Sequence, residues 1–393
     1  MRILYLADTR FPLERANGIQ TFETCRALAA RGHAVTLVVR PDTTQPPRDP
    51  WAFYGATPDP RLTISVTPAI ATPVRRPAYL LGVLPRVASR TADVVLTRDL
   101  GVASLTIGLS RGMRPPVIYE AHGYAPAVSE ELPHLLAGAP TPSRRKLARL
   151  AARERRVWSR ADGYVTLTAA HRDELAARFG PRRNAAVIPD GARLDPARTY
   201  APLSRTNGLL IGYAGHLYPW KGVDVLIEAL ALLPAARALI IGGQPGEGDG
   251  ARLEALARAR GVEARTEFTG WQRPTDVAAL LAQCDVLVLP NVRSTISERY
   301  TSPLKLFEYL AAGRPIVASN LPALREVLTD GINALLVEPG NARALASALE
   351  ALGTNAALSD RLARRAFTDA AIYSWDARAA RLEPVLVEAG GRW

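Results

Sequence analysis

The chain has 393 residues, of which 48% are hydrophobic and 22% charged, which excludes a disordered chain and predicts about two globular domains. The 49 Lys and Arg exceed the 37 Asp and Glu, and the net charge of +12 favours an anionic partner such as nucleic acid, a phosphate-bearing substrate or an acidic membrane surface. The two cysteines, Cys25 and Cys284, lie in apolar segments and match neither a disulfide framework nor a zinc motif. Because no signal-peptide pattern and no apolar run near roughly 20 residues occurs, we expect a cytoplasmic protein.

Apolar segments of strand length alternate with amphipathic segments of helix length along the chain. The first series of predicted strands is RILYLA, AVTLVV, LTISV, VVLT, PVIYE, YVTLT and AAVIP. The second series is LLIGYAG, ALIIGG, TEFTG, DVLVLP, PIVAS and ALLVEP. Nearly continuous apolar strands that alternate with helices predict parallel sheets covered on both faces. The sequence therefore predicts an α/β protein with two doubly wound, Rossmann-like domains.

The boundary between the two series is the polar, Pro- and Gly-rich segment Pro189–Gly208. We expect an N-terminal domain over residues 1–200 and a C-terminal domain over 201–374, with a last amphipathic helix beginning near Trp375 and extending to 393. Ligands of parallel sheets bind beyond the carboxyl ends of the strands, and with two such sheets we expect a site in the cleft between them. The loops that follow strands are thus where chemistry is expected.

One such loop leads into the segment SPLKLFEYLAAGRPIVAS, residues 302–319. Ser302 is a good N-cap, Pro303 suits the first helical position, and free amides at a helix start favour an anion such as a phosphate. Lys305 adds positive charge there, and Glu308, one turn later, has the oxygens to accept hydrogen bonds from two ribose hydroxyls. The alternative is a surface salt bridge between Lys305 and Glu308, worth about 0.2–0.5 kcal/mol.

A second candidate anion site follows the strand LLIGYAG. His216 lies in the loop HLYPWKG, and Lys221 and Gly222 open the next helix. A basic residue at a helix start after a parallel strand again suits phosphate. A solvated lysine and a loop histidine are the alternative interpretation.

The first half offers weaker signals. Gly18 opens the helix after the first strand, where backbone can approach a ligand. Glu120 and His122 end the strand PVIYE on one side, because side chains alternate with a period of two. His122 is placed to act on a substrate, or it is a buried, hydrogen-bonded histidine.

The segment Ser143–Arg160 predicts a basic amphipathic helix. Its apolar face includes Leu147, Leu150, Ala151, Val157 and Trp158, and its basic face Arg145, Arg149, Arg153, Arg156 and Arg160. Such a helix can lie on an anionic membrane. The alternative is a solvated face over a core-packing stripe, which Glu154 within the apolar stripe favours.

Together these segments resemble a known family. GHLYPWKGVDVLIEAL, DVLVLP and SPLKLFEYLAAGRPIVASNLPALREVLTDGINALLVEPGN resemble the donor half of the retaining glycosyltransferases of family 4, which have the GT-B fold. NGIQTFETCRALAARGHAVTLV, YEAHG, SRADGYVTLTAAHRDEL and VIPDGARLD resemble the acceptor half. The resemblance implies two Rossmann-like domains facing a central cleft and a C-terminal helix that returns to the first domain.

The resemblance also implies transfer of a sugar, with retention, from a nucleotide-diphosphate sugar (a UDP- or GDP-sugar) to a saccharide, lipid-linked or small-molecule acceptor. It implies no cofactor, no metal and no nucleic-acid partner, and no Asp-x-Asp motif occurs in the chain. The catalytic residues it implies are His122, Lys221 and Glu308. The donor-binding residues it implies are Gly18, Gly215, His216, Lys221, Tyr300, Ser302, Leu304, Lys305 and Glu308.

Three positions depart from the family pattern. The family often has two glutamates separated by seven residues, and the first position holds Tyr300. The basic residue after the donor strand is usually arginine, and here it is His216. The first loop often has two glycines, whereas here Asn17 precedes Gly18.

Four other functions are alternatives to sugar transfer. A dinucleotide oxidoreductase lacks G-x-G-x-x-G after the first strand, since GGQPGEGDG has the wrong spacing, and only Asp42 supports it. A serine hydrolase would use Ser110 of GLSRG, which we interpret as a helix end capped by Gly112. A nucleic-acid binder has the charge but no recognised motif. A nucleotide-sugar epimerase of the GT-B fold is the nearest enzymatic alternative.

Overall fold

The computed structural model describes residues 1–70, 74–136, 138–202, 208–243 and 248–391. The chain divides into two compact units. Unit 1 comprises Met1–Glu130, Pro142–Asp190 and Trp375–Trp393, and unit 2 comprises Glu131–Thr141 and Gly191–Ser374. Residues 203–207 of the expected linker and residues 244–247 of GGQPGEGDG lie outside the described residues.

Unit 1 contains a seven-stranded sheet in which every strand pair is parallel. The strand order is β3-β2-β1-β4-β5-β6-β7, so the chain reverses direction across the sheet beside β1. The central strands are buried along their whole length, which is why they appear in the sequence as unbroken apolar runs. The strands are β1 (Arg2–Phe11), β2 (Ala34–Pro41), β3 (Leu62–Val66), β4 (Val94–Thr97), β5 (Val117–Ala121), β6 (Gly163–Thr166) and β7 (Ala185–Val187).

Four helices of unit 1 begin at polar caps. Asp49, Asp99, Ser143 and Thr168 each accept a hydrogen bond from a first-turn amide through their side chains, which satisfies one of the free donors of a helix start. The helices are α1 (Ala16–Ala30), α2 (Pro50–Tyr54), α3 (Arg75–Ala88), α4 (Leu100–Thr106), α5 (Ala125–Leu135), α6 (Arg144–Arg160) and α7 (Ala169–Phe179). The end of α5, from Glu131, is assigned to unit 2.

Unit 2 contains a six-stranded sheet, also parallel at every strand pair, in the order β10-β9-β8-β11-β12-β13. The strands are β8 (Leu210–Ala214), β9 (Arg237–Ile241), β10 (Thr266–Gly270), β11 (Val286–Leu289), β12 (Ile316–Ser319) and β13 (Leu335–Val337). The helices are α8 (Val223–Ala231), α9 (Asp249–Ala259), α10 (Pro274–Gln283), α11 (Leu304–Ala312), α12 (Pro322–Arg325), α13 (Ala342–Thr354) and α14 (Ala356–Asp369). Two apolar clusters, one on each face of this sheet, form its core.

The last helix, α15 (Trp375–Gly390), belongs to unit 1 although it follows unit 2 in the chain. It packs against α1 and against strands β4, β5 and β6. Arg31 of the α1 C-terminus donates to both carboxylate oxygens of Glu383, at 2.8 and 2.9 Å. None of the described helices is both long and apolar enough to cross a membrane.

The predicted α/β class with two Rossmann-like parallel sheets is confirmed, and every predicted strand segment contains a strand. One local prediction is wrong. GLSRG does not end a helix capped by Gly112, because α4 ends at Thr106 and Gly112 lies in a 3-10 turn, Arg111–Met113. Ser110 is exposed ahead of that turn, without the strand before it and helix after it that a nucleophilic serine of this motif requires.

Candidate functional site

The loop after β8 is shaped by a glycine and three stacked rings. Gly215 has φ +125°, which favours glycine, and a side chain at Gly242 would begin 2.3 Å from the Gly215 oxygen, so Gly242 has no room for one. The His216 ring stacks on Tyr218 at 4.8 Å, and Tyr218 stacks on Trp220 at 4.6 Å. The imidazole at the position where arginine is usual therefore lies in an ordered stack.

The same loop ends at Lys221 and Gly222. Lys221 closes a 3-10 turn, Pro219–Lys221, and the helix α8 begins at Val223, later than the sequence predicted. Gly222 has φ +73°, and a side chain there would begin 1.8 Å from the oxygen of Pro290, so only glycine fits. Burial lowers the pKa of Lys221 to about 8.

The loop after β11 carries a signal that the sequence analysis missed. Asn291 is fully buried, and neither the oxygen nor the nitrogen of its side-chain amide has a hydrogen-bond partner among the described residues. Its backbone lies against Gly222. A buried amide without partners is costly, which marks this edge of β8 and β11 as a polar binding surface.

The helix α11 begins one residue later than predicted. Pro303, with extended backbone angles, is the N-cap, and Ser302 precedes the cap, so the prediction that Ser302 caps the helix is wrong. The physical reason is that the chain leaves a π-helical turn, Ile296–Tyr300, and has extended backbone angles at Thr301 and again at Pro303, so the helix begins only at Leu304. Lys305 is nevertheless in the first turn, with Leu304 as the first, buried helical residue.

Lys305 and Glu308 do not form the surface salt bridge that was the alternative interpretation. Lys305 is only 7% exposed, and its Nζ has no hydrogen-bond partner in the described chain. The ammonium lies 3.7 Å from the centre of the Tyr213 ring, a cation–π contact. A side chain at Gly215 would begin 3.4 Å from the same Nζ, so α11 and the loop after β8 meet at this ammonium.

Burial and neighbouring charges shift the pKa values of the ionisable side chains at this edge. Burial lowers the pKa of Lys305 well below its usual value, the neighbouring Lys221 lowers it further, and Glu308 acts in the opposite direction. Burial raises the pKa of Glu308 to about 7, against the effect of Lys305. Two lysines that disfavour each other's charge would both be stabilised by an anion between them.

The predicted donor-binding residue Tyr300 and the nearby Glu298 lie in the π-helical turn before α11. Tyr300, at the position where the family often has glutamate, is buried. Glu298 forms an ion pair of 2.9 Å with Arg293. The structure thus gives the nearest glutamate, Glu298, a protein partner.

In unit 1, Glu120 and His122 lie together, as the alternation along β5 predicted. His122 Nε2 lies 2.8 Å from Glu120 Oε1, and one-fifth of the His122 side chain is exposed. Burial and the Arg98 guanidinium lower the pKa of His122 to about 4, so the ring is neutral near pH 7. Because the partner is a carboxylate, Nε2 carries the proton, and Nδ1 is left as a hydrogen-bond acceptor.

A buried arginine of the last helix supports this pair. Arg378 of α15 donates to Glu120 Oε2 at 2.7 Å and to Thr24 at 3.0 Å, and both charged side chains are 1% exposed or less. Burial favours the neutral carboxyl, but Arg378 and the hydrogen bond with His122 hold the pKa of Glu120 well below its usual value. The sequence analysis missed Arg378, because its partners are more than 250 positions away.

Gly18 has a packing explanation. It is buried in the first turn of α1, where a side chain would begin 2.5 Å from the Leu13 oxygen and 2.7 Å from the Tyr54 hydroxyl. Its amide donates to the oxygen of Arg15 at 2.9 Å. A ligand contact at Gly18 remains a prediction, and the glycine is required without one.

Asp42, the residue that would support a dinucleotide enzyme, has partners within the protein. Asp42 accepts a hydrogen bond from Arg48 at 2.7 Å and lies 3.7 Å from Arg10. It therefore lies in a local ion-pair cluster at the end of β2.

The basic helix α6 packs as the structural alternative predicted. Val157 and Trp158 are buried, and buried Glu154 accepts hydrogen bonds from the Ala125 amide at 3.1 Å and from the Tyr164 hydroxyl at 3.3 Å. The predicted exposed face is wrong at one position, because Arg153 is half-buried and lines a cavity that also contains His122. The other four arginines of that face, Arg145, Arg149, Arg156 and Arg160, are exposed.

Within the described ranges, no group of three or more His, Cys, Asp or Glu side chains is arranged to hold a metal ion. Cys25 and Cys284 are buried free thiols.

Two sequence families match the chain in succession. The family described as "Glycosyl transferase 4-like domain" matches residues 17–191, and the one described as "Glycosyl transferases group 1" matches residues 208–355. Among curated proteins, the D-inositol 3-phosphate glycosyltransferase of Stackebrandtia nassauensis is 28% identical, with 95% of this chain and 88% of that protein aligned. The protein of the same description from Rhodococcus opacus is 29% identical over 66% of this chain and 59% of its own length.

Solved structures share the fold at low sequence identity. Anabaena HepE in complex with UDP aligns with a TM-score of 0.73 and 18% identity, over 98% of this chain and 99% of that one. The sucrose-phosphate synthase of Thermosynechococcus elongatus aligns with a TM-score of 0.77 and 19% identity, over 98% and 97% of the two chains. HepE has also been solved with UDP-glucose.

Proposed function

The chain belongs to the group 1 glycosyltransferases, and from this premise we propose that it transfers a sugar from a nucleotide-diphosphate sugar to an acceptor hydroxyl, with retention of the anomeric configuration. One observation carries the donor assignment. Lys221 and Lys305 come together at the carboxyl edge of β8 and β11, neither forms an ion pair in the described chain, and burial lowers the pKa of both. A diphosphate is the ligand chemistry that offsets both charges.

Each donor-side residue then has a role. Lys221 and Lys305, with His216 and the first amides of α11 near Ser302, hold the diphosphate and stabilise it as the leaving group. Glu308 accepts hydrogen bonds from the ribose hydroxyls, which favour the ionised carboxylate. Leu304, Tyr300 and Gly215 form the walls of the donor site.

On the acceptor side, His122 faces the transferred sugar. Its neutral ring has Nε2–H held by Glu120, so that Nδ1 accepts a hydrogen bond from a sugar hydroxyl. The bond from the anomeric carbon to the diphosphate breaks, the acceptor oxygen forms the new bond, and the acceptor proton passes to the leaving diphosphate. The lysine cations supply the charge that a metal would otherwise provide, and we expect activity to survive excess EDTA.

UDP is the first nucleotide to test, because HepE has been solved with UDP and UDP-glucose. Calorimetry with UDP, GDP and ADP should show that one of these nucleotides binds. Lys305→Met should weaken the binding of that nucleotide. Lys146→Met, which changes an exposed lysine on α6, should leave the binding unchanged. Proton NMR of the product from the matching nucleotide sugar then reports the anomeric configuration. Binding of none of the three nucleotides would refute the donor site, and an inverted product would refute retention.

The exposed arginines of α6, among them Arg145, Arg149, Arg156 and Arg160, support a peripheral contact with an anionic membrane from the cytoplasmic side. Sedimentation with vesicles containing phosphatidylglycerol should show binding that falls as salt rises. The contact is disproved if changing Arg145, Arg149, Arg156 and Arg160 together to Gln leaves vesicle binding unchanged.

A product assay separates transfer from epimerisation, because an epimerase converts the nucleotide sugar without an acceptor.

A further inference from the structure

Unit 1 contains a cavity of about 270 Å³ beside His122. Its charged lining is Arg76, Arg98, Asp99 and Arg153, contributed by α3, the loop after β4 and α6. The volume is close to the lower end of the roughly 300–1,000 Å³ of small-molecule sites. It therefore suits a compact polar ligand.

The positive charges in this cavity do not cancel. Arg76 is neutralised, since its guanidinium contacts Asp99 at 2.9 Å and Asp8 at 3.2 Å. Arg98 donates from Nη1 to the side-chain oxygen of Gln20 at 2.7 Å and makes no ion pair in the described chain. Arg153 has neither an ion pair nor a side-chain hydrogen bond with any described residue.

The guanidiniums of Arg98 and Arg153 are both withdrawn from full solvent exposure. Arg98 and Arg153 are each half-buried, although exposed positions are available to arginine elsewhere on α6. Arg98 and Arg153 bring two positive charges to one cavity, and neither makes an ion pair in the described chain, so an anion bound between them would offset both charges. A guanidinium has fork geometry that matches the oxygens of a phosphate or carboxylate.

We propose that this cavity is the acceptor site of the proposed transferase, and that it binds an acceptor bearing a phosphate ester through Arg98 and Arg153. Leu100, Val128 and Leu150 supply an apolar wall for the carbon skeleton of that acceptor. His122 lines the same cavity, so the acceptor lies next to the residue assigned to the transferred sugar. The shared chemistry is a phosphate ester, carried by a soluble polyol or by a lipid headgroup.

Calorimetry in saturating UDP isolates this cavity from the donor site. Glycerol 3-phosphate should bind the full-length protein, whereas neutral glycerol should not. Arg153→Gln and Arg98→Gln should each weaken glycerol 3-phosphate binding about tenfold or more. The matched control is Arg61→Gln, an exposed arginine of unit 1 outside the cavity, which should leave this affinity unchanged.

The imidazole signals in NMR spectra localise the binding. The chain has five histidines, and we expect glycerol 3-phosphate to shift the signals of His122, which lines the cavity, in the wild type and not in Arg153→Gln. Thermal melting in UDP checks that each variant is folded. A shift that persists unchanged in Arg153→Gln overturns the assignment.

A vesicle arm separates the two sources of phosphate. Binding to phosphatidylglycerol vesicles that is lost in Arg153→Gln and retained in Arg61→Gln identifies a lipid headgroup, and binding of glycerol 3-phosphate alone identifies a soluble acceptor. If neither probe depends on Arg153, the proposal is wrong. UDP binding remains as a separate measurement, so failure here is distinguishable from failure of the donor site.

Discussion

At the scale of single residues, Lys305 combines a structural cost with a predicted functional gain. Its Nζ is buried over the Tyr213 ring and lacks a hydrogen-bond partner in the described residues. Lys305→Met keeps the volume of the side chain and removes the charge. We expect the ligand-free variant to gain about 1–3 kcal/mol in free energy of unfolding, because a buried unpaired donor is eliminated.

The same variant should bind UDP at least about tenfold more weakly, since one cation at the diphosphate is lost. Urea denaturation and calorimetry measure the two effects, with Lys146→Met as the control. A variant that is less stable and binds UDP normally would show that Lys305 is a structural cation.

Glu308 gives a pH dependence with a definite sign. Burial raises the pKa of its carboxyl to about 7 from 4.5, so the folded state holds the proton more tightly than the unfolded state. The stability of the ligand-free protein should therefore fall as pH rises from about 4.5 to 7, and Glu308→Gln should flatten this part of the profile.

UDP affinity should change in the opposite direction with pH. The ionised carboxylate is the stronger acceptor for ribose hydroxyls, so the affinity should rise between pH 6 and 8, and at pH 8 Glu308→Gln should lose about tenfold. Calorimetry at both pH values tests this. Parallel pH profiles of UDP affinity for the variant and wild type would rule out a ribose contact.

At the scale of elements, α15 is attached to unit 1 by a buried ion pair and an exposed one. Arg378→Met leaves the Glu120 carboxylate buried without its cation and should cost roughly 3–5 kcal/mol. Arg31→Met, which removes the more exposed pair between the α1 C-terminus and Glu383 of α15, should cost about 0–1 kcal/mol. Chemical denaturation compares them, and similar costs would contradict the importance of burial.

The double variant Arg378→Met with Glu120→Gln separates charge from packing. It should regain part of the lost stability, because no buried carboxylate remains unpaired. In the wild type, the lowered pKa of Glu120 means that its contribution to stability is present above about pH 4.5 and is lost as pH falls below it. This acid-side loss should be smaller in the double variant.

At the scale of the whole molecule, each unit has its own sheet, and the predicted donor-binding residues other than Gly18 belong to unit 2. UDP at 100 times its dissociation constant should stabilise the folded state that binds it by about 2.7 kcal/mol. When UDP binds, the backbone amides in the loops after β8 and β11 should be the first to become protected from hydrogen exchange. Equal protection across the loops of unit 1 would contradict a donor site built on unit 2.

The sequence by itself was sufficient for the fold class, the strand segments and the family resemblance. Buried parallel strands must be apolar along their length, and loops after strands must hold the ligand-binding groups, so both are visible as local patterns. Lys221, Lys305 and Glu308 could be singled out because they lie within a few positions of glycine, proline and a strand. The start of α11 was misplaced because the extended conformation before Pro303 depends on the preceding π-helical turn.

Tertiary structure alone decided which charges are paired. Arg378 reaches Glu120 across 258 positions, Arg153 turns from the predicted exposed face into the cavity beside His122, and Lys305 lies over the Tyr213 ring. Burial and pairing depend on residues that are distant in sequence, and they set both the pKa and the cost of each charge. The physical reason is that a charge acquires its energy from its surroundings, and no local pattern of residue types specifies those surroundings.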